Sequence, residues 1–274
     1  MQLTGGLAKM VTELGETVQY RIPVGGQSPG LNQYIGQTIH LRHEGTIHCV
    51  ACGRATRKSY SQGHCFPCSQ RLASCDLCIM KPESCHYAAG TCREPAWGEA
   101  NCMREHFVYL ANTSGLKVGI TRGSQVPTRW MDQGATQALP IFRVATRRLS
   151  GFVEVVCKQH VADRTDWRAM LKGDGERLEL TTLRDELLAL CEPELRALHD
   201  AEGEGAIEPL PQAAEVSIHY PVAEYPKKIT AINLDKTPVV SGVLQGIKGQ
   251  YLILDSGVLN IRKYGGYDVT LGLP

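Results

Sequence analysis

No stretch of the 274 residues approaches the roughly 20 consecutive apolar residues that a membrane-spanning helix needs, so no membrane partner is expected. The opening MQLTGGLAKMVTELGE has no long apolar core and carries Glu13 and Glu16, so a secretory leader is not expected either. Together these absences point to a cytoplasmic protein. No repeat of fixed period appears. An excess of charge of one sign is also missing, the net charge being +1. What is present, 43% hydrophobic and 21% charged residues, excludes global disorder. The length allows two or more domains and a sizeable core.

The small net charge hides an uneven distribution. Residues 42–172 hold 18 Lys/Arg against 10 Asp/Glu, whereas residues 173–212 hold 3 against 11. A basic middle beside an acidic segment suits a face that binds a polyanion, although two solvated surfaces would give the same pattern. Composition divides the chain into five parts. Residues 1–48 read as an N-terminal β segment, with TVQYRIPV and IGQTIHLRHEG separated by GGQSPG. Residues 49–106 are cysteine-rich, and 107–172 alternate strand-like and helix-like patterns. Residues 173–212 form an acidic helical segment and linker, with leucines at helical spacing and a break expected near Pro193 that gives two helices. Residues 213–274 predict a small C-terminal β-barrel or compact sheet from VSIHY, ITAINL, VVSGVLQGI, YLILDSGVLNI and YDVTLGL. The fold class expected is α+β.

Eleven cysteines in a reducing compartment argue for metal ligation over disulfides. Cys49-Val-Ala-Cys52 and Cys65-Phe-Pro-Cys68 are separated by twelve residues. That spacing lets two tight turns present four thiolates tetrahedrally to Zn²⁺, as in a zinc knuckle or zinc ribbon. An iron–sulfur centre or a redox dithiol are the alternatives. A second pool follows: Cys75, Cys78, Cys85, Cys92 and Cys102, with His86 and His106 nearby. It contains more ligands than one further tetrahedral Zn²⁺ needs. The CxxC spacing favours Cys75 with Cys78, and Cys92 and Cys102 as closers, with Cys85 able to replace either. The module has few apolar residues of its own, which is the physical case for metal. Cys157 and Cys191 read as small buried hydrophobes on helices.

The segment FVYLANTSGLKVGITRGSQVPTRW, residues 107–130, begins one residue after this module. FVYL and LKVGIT around NTSG predict a β-hairpin. Beyond it come a polar loop into Arg129-Trp130, a helix-like WMDQGATQAL, a strand in PIFRVATR and a helix carrying Glu154. Lys117 and Arg122 read as exposed polar positions around an apolar hairpin, the makings of a concave basic site. Phosphodiester hydrolysis needs a carboxylate-held hard cation, a cationic phosphate ligand and a positioned water. Glu154, Arg129, Tyr109 and Lys117 supply those types.

This order resembles the GIY-YIG nuclease superfamily over residues 107–172, with FVY at the first tripeptide, KVG at the second, then Arg129 and Glu154. The resemblance implies a three-stranded antiparallel sheet with flanking helices. It also implies a single Mg²⁺ or Mn²⁺ on Glu154, Arg129 on the scissile phosphate, and Tyr109 positioning or activating the attacking water. Lys117 stands where the second tripeptide has tyrosine, and would act as a base of lowered pKa or as a phosphate clamp. No histidine follows the arginine, so Asp132 or Gln133 would have to orient the water. The phrase GTCREPAWGEANC ahead of HFVYLA is similar to an uncharacterised bacterial family that places a cysteine-rich module before a GIY-YIG-like domain. Lys117, Arg122 and Arg129 are the expected nucleic-acid contacts. Tyr251, Arg262, Lys263 and Tyr264 form a second candidate platform for bases and phosphates. The expected function is metal-dependent cleavage of DNA or RNA. The alternative is a non-catalytic nucleic-acid-binding or processing factor on the same scaffold.

Overall fold

Alternating side chains build the first elements. In the computed structural model, which describes residues 1–274, β1 (Gln2–Gly6) precedes a hairpin of β2 (Val11–Glu13) and β3 (Gln19–Arg21). The long β4 (Thr38–His48) buries Ile39, Leu41 and Ile47 and exposes Thr38, His40 and Arg42, the period of two of a half-buried strand. The cysteine-rich segment contributes only short pieces. These are β5 (Ala55–Thr56), α1 (Phe66–Arg71), three 3₁₀ turns between Ala73 and Ser84, and α2 (Pro95–Asn101).

The expected hairpin forms from β6 (His106–Asn112) and β7 (Leu116–Arg122). WMDQGATQAL does not stay helical. The helix α3 (Thr128–Asp132) stops before Gly134, which turns the chain at φ +73° into β8 (Gln137–Val144). β8 lies antiparallel on the other side of β6. Thr146 then caps α4 (Arg147–Cys157) by accepting the Leu149 N–H at 3.3 Å, and Leu149, Val153, Val156 and Cys157 form the buried stripe of that helix.

After α5 (Trp167–Met170), the acidic segment forms one helix, α6 (Leu180–Glu202), and not the two expected around Pro193. Pro193 is exposed, and so is Ala189 one turn earlier, whose carbonyl loses its helical partner. Water can satisfy that carbonyl, so the helix continues. β9 (Ile207–Pro209) and β10 (Val216–Ser217) both pair with β8.

The C-terminal strands are β11 (Val239–Lys248), β12 (Tyr251–Leu254), β13 (Gly257–Asn260) and β14 (Tyr267–Gly272). They do not close into the expected barrel. They join the N-terminal strands in an open sheet of order β1-β14-β4-β11-β12-β13, with β5 attached to β4. The reason lies in the core: Tyr267, Val269 and Leu271 of β14 are covered together with Leu3, Ile39 and Leu41. ITAINL forms no strand, only an isolated bridge from Ala231 to Val258.

β6 is buried on both faces, which places the middle sheet inside the molecule. Val108 and Leu110 pack with α4 and α6, while Tyr109 and Ala111 join the core shared by both chain ends. Ala111 pairs with Lys117, so Tyr109 and Lys117 project from the same face, toward the large sheet.

Candidate functional site

Lys117 is only 4% exposed, not the exposed residue the sequence suggests. Its Nζ donates to Gln133 Oε1 at 3.1 Å and to Thr165 Oγ1 at 3.4 Å. The hydroxyl of the fully buried Tyr109 donates to the same Gln133 oxygen at 3.0 Å. Gln133, just past α3, therefore ties together the hairpin residues from both tripeptide positions. Burial, with the Arg129 guanidinium adding to it, brings the Lys117 ammonium down from 10.5 to about 8, against the opposing pull of Glu154 and Asp163. Burial raises the Tyr109 hydroxyl, while Arg129 acts to lower it and Glu154 to raise it. Arg129 and Glu154 are each half-buried. Burial raises the Glu154 carboxyl, with Asp163 as the next cause. Tyr109, Lys117, Arg129 and Glu154, from four different elements, thus share one electrostatic neighbourhood.

Other predicted residues lie elsewhere. Arg122 is engaged by Asn101 of α2 and by Ser124 Oγ at 2.9 Å, so it links the cysteine-rich segment to β7. Asp132 turns away from Lys117: it takes Lys9 Nζ at 2.7 Å and Gln250 Nε2 at 2.9 Å. Tyr264 is a core residue whose hydroxyl accepts the Leu234 N–H, and Tyr251 stacks on Trp167 with centroids 5.6 Å apart. Arg262 is half-buried, donates to Gln62 Oε1 at 2.9 Å, and has its pKa lowered by burial first and by Arg129 second. It brings a cation from the C-terminal sheet toward Arg129. Asp163, Thr165 and the approach of Arg262 to Arg129 have no motif around them and escape sequence reasoning. An open groove of about 550 Å³ bounded by His40, Arg42, Val239 and Thr270 contains none of the predicted site residues.

The first cysteine set is assembled as expected. The sulfurs of Cys49, Cys52, Cys65 and Cys68 all lie within 4.8 Å of one another, compatible with Zn²⁺. Burial opposes ionisation of Cys49, but the N–H groups of Cys65, Cys52 and Ala51 hold its thiol at about 6. Cys68 is pushed up to about 12 by burial and by the sulfurs of Cys52, Cys65 and Cys49. Four thiols this close resist repeated ionisation unless a cation compensates, and a divalent ion does so.

In the second pool, Cys78, Cys85, Cys92 and Cys102 line one small cavity of about 20 Å³ together with Asp76 and His86, and Cys75 is not on its wall. Asp76, Cys78 and His86 bring donor atoms within 4.8 Å of one another. His106 is fully buried, its Nδ1 2.7 Å from the Arg104 carbonyl, and burial lowers it to about 4, so it is neutral. No helix is long and apolar enough to cross a membrane.

A family model described as protein of unknown function (DUF2797) matches residues 36–269. The matched span runs from just before β4 into β14 and holds both cysteine sets, the Lys117 cluster and the shared sheet. No curated protein and no solved structure matches the chain. With most of its length inside the match, the chain belongs to the DUF2797 family.

Proposed function

We propose that this protein hydrolyses phosphodiester bonds in nucleic acid at the cluster of Tyr109, Lys117, Arg129 and Glu154. The observation that carries the reading is Lys117: a buried amine titrating near 8 and sharing one acceptor, Gln133 Oε1, with the Tyr109 hydroxyl. A lysine costs stability in such a place, and a base near neutrality is a use that offsets the cost. The resemblance of FVY, KVG, Arg129 and Glu154 to the GIY-YIG nucleases supports the same assignment.

In this reading Arg129 binds the scissile phosphate through its planar fork, and Arg262 adds a second cation to the same approach. Neutral Lys117 accepts the proton of the attacking water, and Tyr109, fixed by Gln133, orients it. Glu154 would hold Mg²⁺ or Mn²⁺, which when bound stabilises charge on the leaving oxygen. The donors fit such an ion: Glu154 makes no ion pair with any Lys or Arg, and Asp163 is a second carboxylate acting on it. Mg²⁺ commonly takes one or two carboxylates and completes its shell with phosphate and water.

Lysine in place of the second tyrosine favours one other reading, a phosphate-binding platform without turnover. The test is cleavage of a mixed panel of duplex, branched and single-stranded DNA, tRNA and structured RNA with Mg²⁺ or Mn²⁺. Cutting by the wild type, lost in Glu154→Gln and Arg129→Ala, is the expected result and names the substrate class. Tight binding without cutting, unchanged by Glu154→Gln, overturns hydrolysis and leaves the platform.

A further inference from the structure

We infer a second tetrathiolate zinc centre formed by Cys78, Cys85, Cys92 and Cys102, which clamps the cysteine-rich segment onto α4. Of the five cysteines in the second pool these four share the wall of one small cavity, beside Asp76 and His86, and its volume of about 20 Å³ suits a single ion. Gly98 on α2 lets that wall close, because a Cβ there would stand 3.3 Å from Cys92 Sγ and 3.1 Å from the Tyr87 ring.

The tighter donor set on the same wall is Asp76, Cys78 and His86, within 4.8 Å of one another, but its two non-sulfur donors are already committed. Asp76 Oδ2 takes Arg93 Nε at 2.6 Å and faces His86 Nε2 at 3.4 Å, while His86 Nδ1 lies 2.8 Å from Thr91 Oγ1. These residues form a hydrogen-bonded frame beside the thiolates, the usual surrounding of a metal centre. Cys75 stands outside, with its sulfur 4.0 Å from Ser74 Oγ.

Arg147 supplies an independent observation. It makes no ion pair with a carboxylate, its buried Nε finds no acceptor, and its side chain donates only to the Ile79 carbonyl, at 2.8 Å. Its backbone N–H donates to the Cys102 carbonyl at 2.9 Å, which places it beside the cavity. Zn²⁺ with four thiolates carries a net charge of −2, and the half-buried Arg147 guanidinium beside it would offset part of that charge.

The centre has a positioning consequence. Cys102 leads into β6, and the turn at Pro82–Ser84, just ahead of Cys85, lies against Gly151 of α4. The ion therefore fixes α4, which carries Glu154 three residues beyond Gly151. The metal assignment stands apart from the hydrolase reading; only its bearing on Glu154 rests on that reading.

The test is elemental analysis of the full chain, with zinc release followed during titration of its thiols. Two zinc per chain are expected, one lost in Cys85→Ser and in Cys92→Ser, and both kept in Cys75→Ser and His86→Ala. Should a variant fail to fold, Co²⁺ reconstitution of the wild type reads the same point: two tetrahedral tetrathiolate signatures. Hydrogen exchange should rise over residues 147–157 in Cys92→Ser and stay unchanged over β4. One zinc in the wild type overturns the inference whatever the nuclease assay shows. Loss of an ion in Cys75→Ser or His86→Ala also overturns it, as does slow exchange persisting over α4 in Cys92→Ser.

Discussion

Lys117 puts function and stability in opposition at a single side chain. Its pKa falls from 10.5 to about 8 on folding, and at about 1.4 kcal/mol per pH unit this penalises the native state by about 3 kcal/mol below pH 8. Between pH 8 and 10.5 the unfolded chain binds the additional proton, so this penalty is relieved as the pH rises through that window. Lys117→Met should therefore stabilise the protein by about 1–3 kcal/mol at pH 7, allowing for the lost bond to Gln133, and by less at pH 9.5. Urea unfolding of both proteins at the two pH values checks this; a pH-independent difference would rule it out. If Lys117 is the base, cleavage should also rise with an inflection near pH 8. The Lys117→Met variant should bind nucleic acid without cutting it.

Close packing at element scale explains two glycines. Tyr109 lies across Gly119 in the β6–β7 register, and a Cβ at Gly119 would stand 2.7 Å from the tyrosine hydroxyl and 2.8 Å from Cζ. Gly119→Ala should destabilise by about 1–3 kcal/mol and push the hydroxyl off Gln133. In a double-mutant cycle, Tyr109→Phe should then cost much less in rate on the alanine background than on the wild type. At Gly151, a Cβ would meet the Glu83 backbone nitrogen at 2.6 Å, so Gly151→Ala should weaken the seat of the cysteine-rich segment on α4 without touching the first zinc set. Thermal unfolding with zinc content measured alongside tests that split. The hairpin, β4, β14 and the first zinc set were legible because alternation and CxxC spacing are local. The shared sheet was not. Leu41 pairs with Leu271 across most of the chain, and nothing near either residue signals the other. Asp163 and Arg262 reach the Lys117 cluster through the same kind of distant packing.

The whole molecule is organised around that long-range closure. The large core takes Leu3, Leu7 and Tyr20 from one chain end and Val269 and Leu271 from the other, and encloses Tyr109, Trp130 and Met131 between them. Charge follows the same logic: Arg143 of the basic middle pairs with Glu208, and Lys248 Nζ meets Asp174 Oδ1 at 2.9 Å, so the acidic segment ties the middle sheet to the large one. Residues 105–212 expressed alone would expose the Tyr109–Trp130 face and lose Arg262. We expect that fragment to bind ANS, lack near-UV dichroism and cut nothing, whereas the metal-loaded full chain unfolds in one calorimetric transition. A fragment that unfolds cooperatively at the full chain's temperature would show the middle sheet to be an autonomous domain, with the large sheet only appended. A fragment that also cuts would show Arg262 dispensable. Failure to fold locates the proposed chemistry at the seam between the two sheets, where neither end of the chain can be removed without losing the surface that holds Lys117.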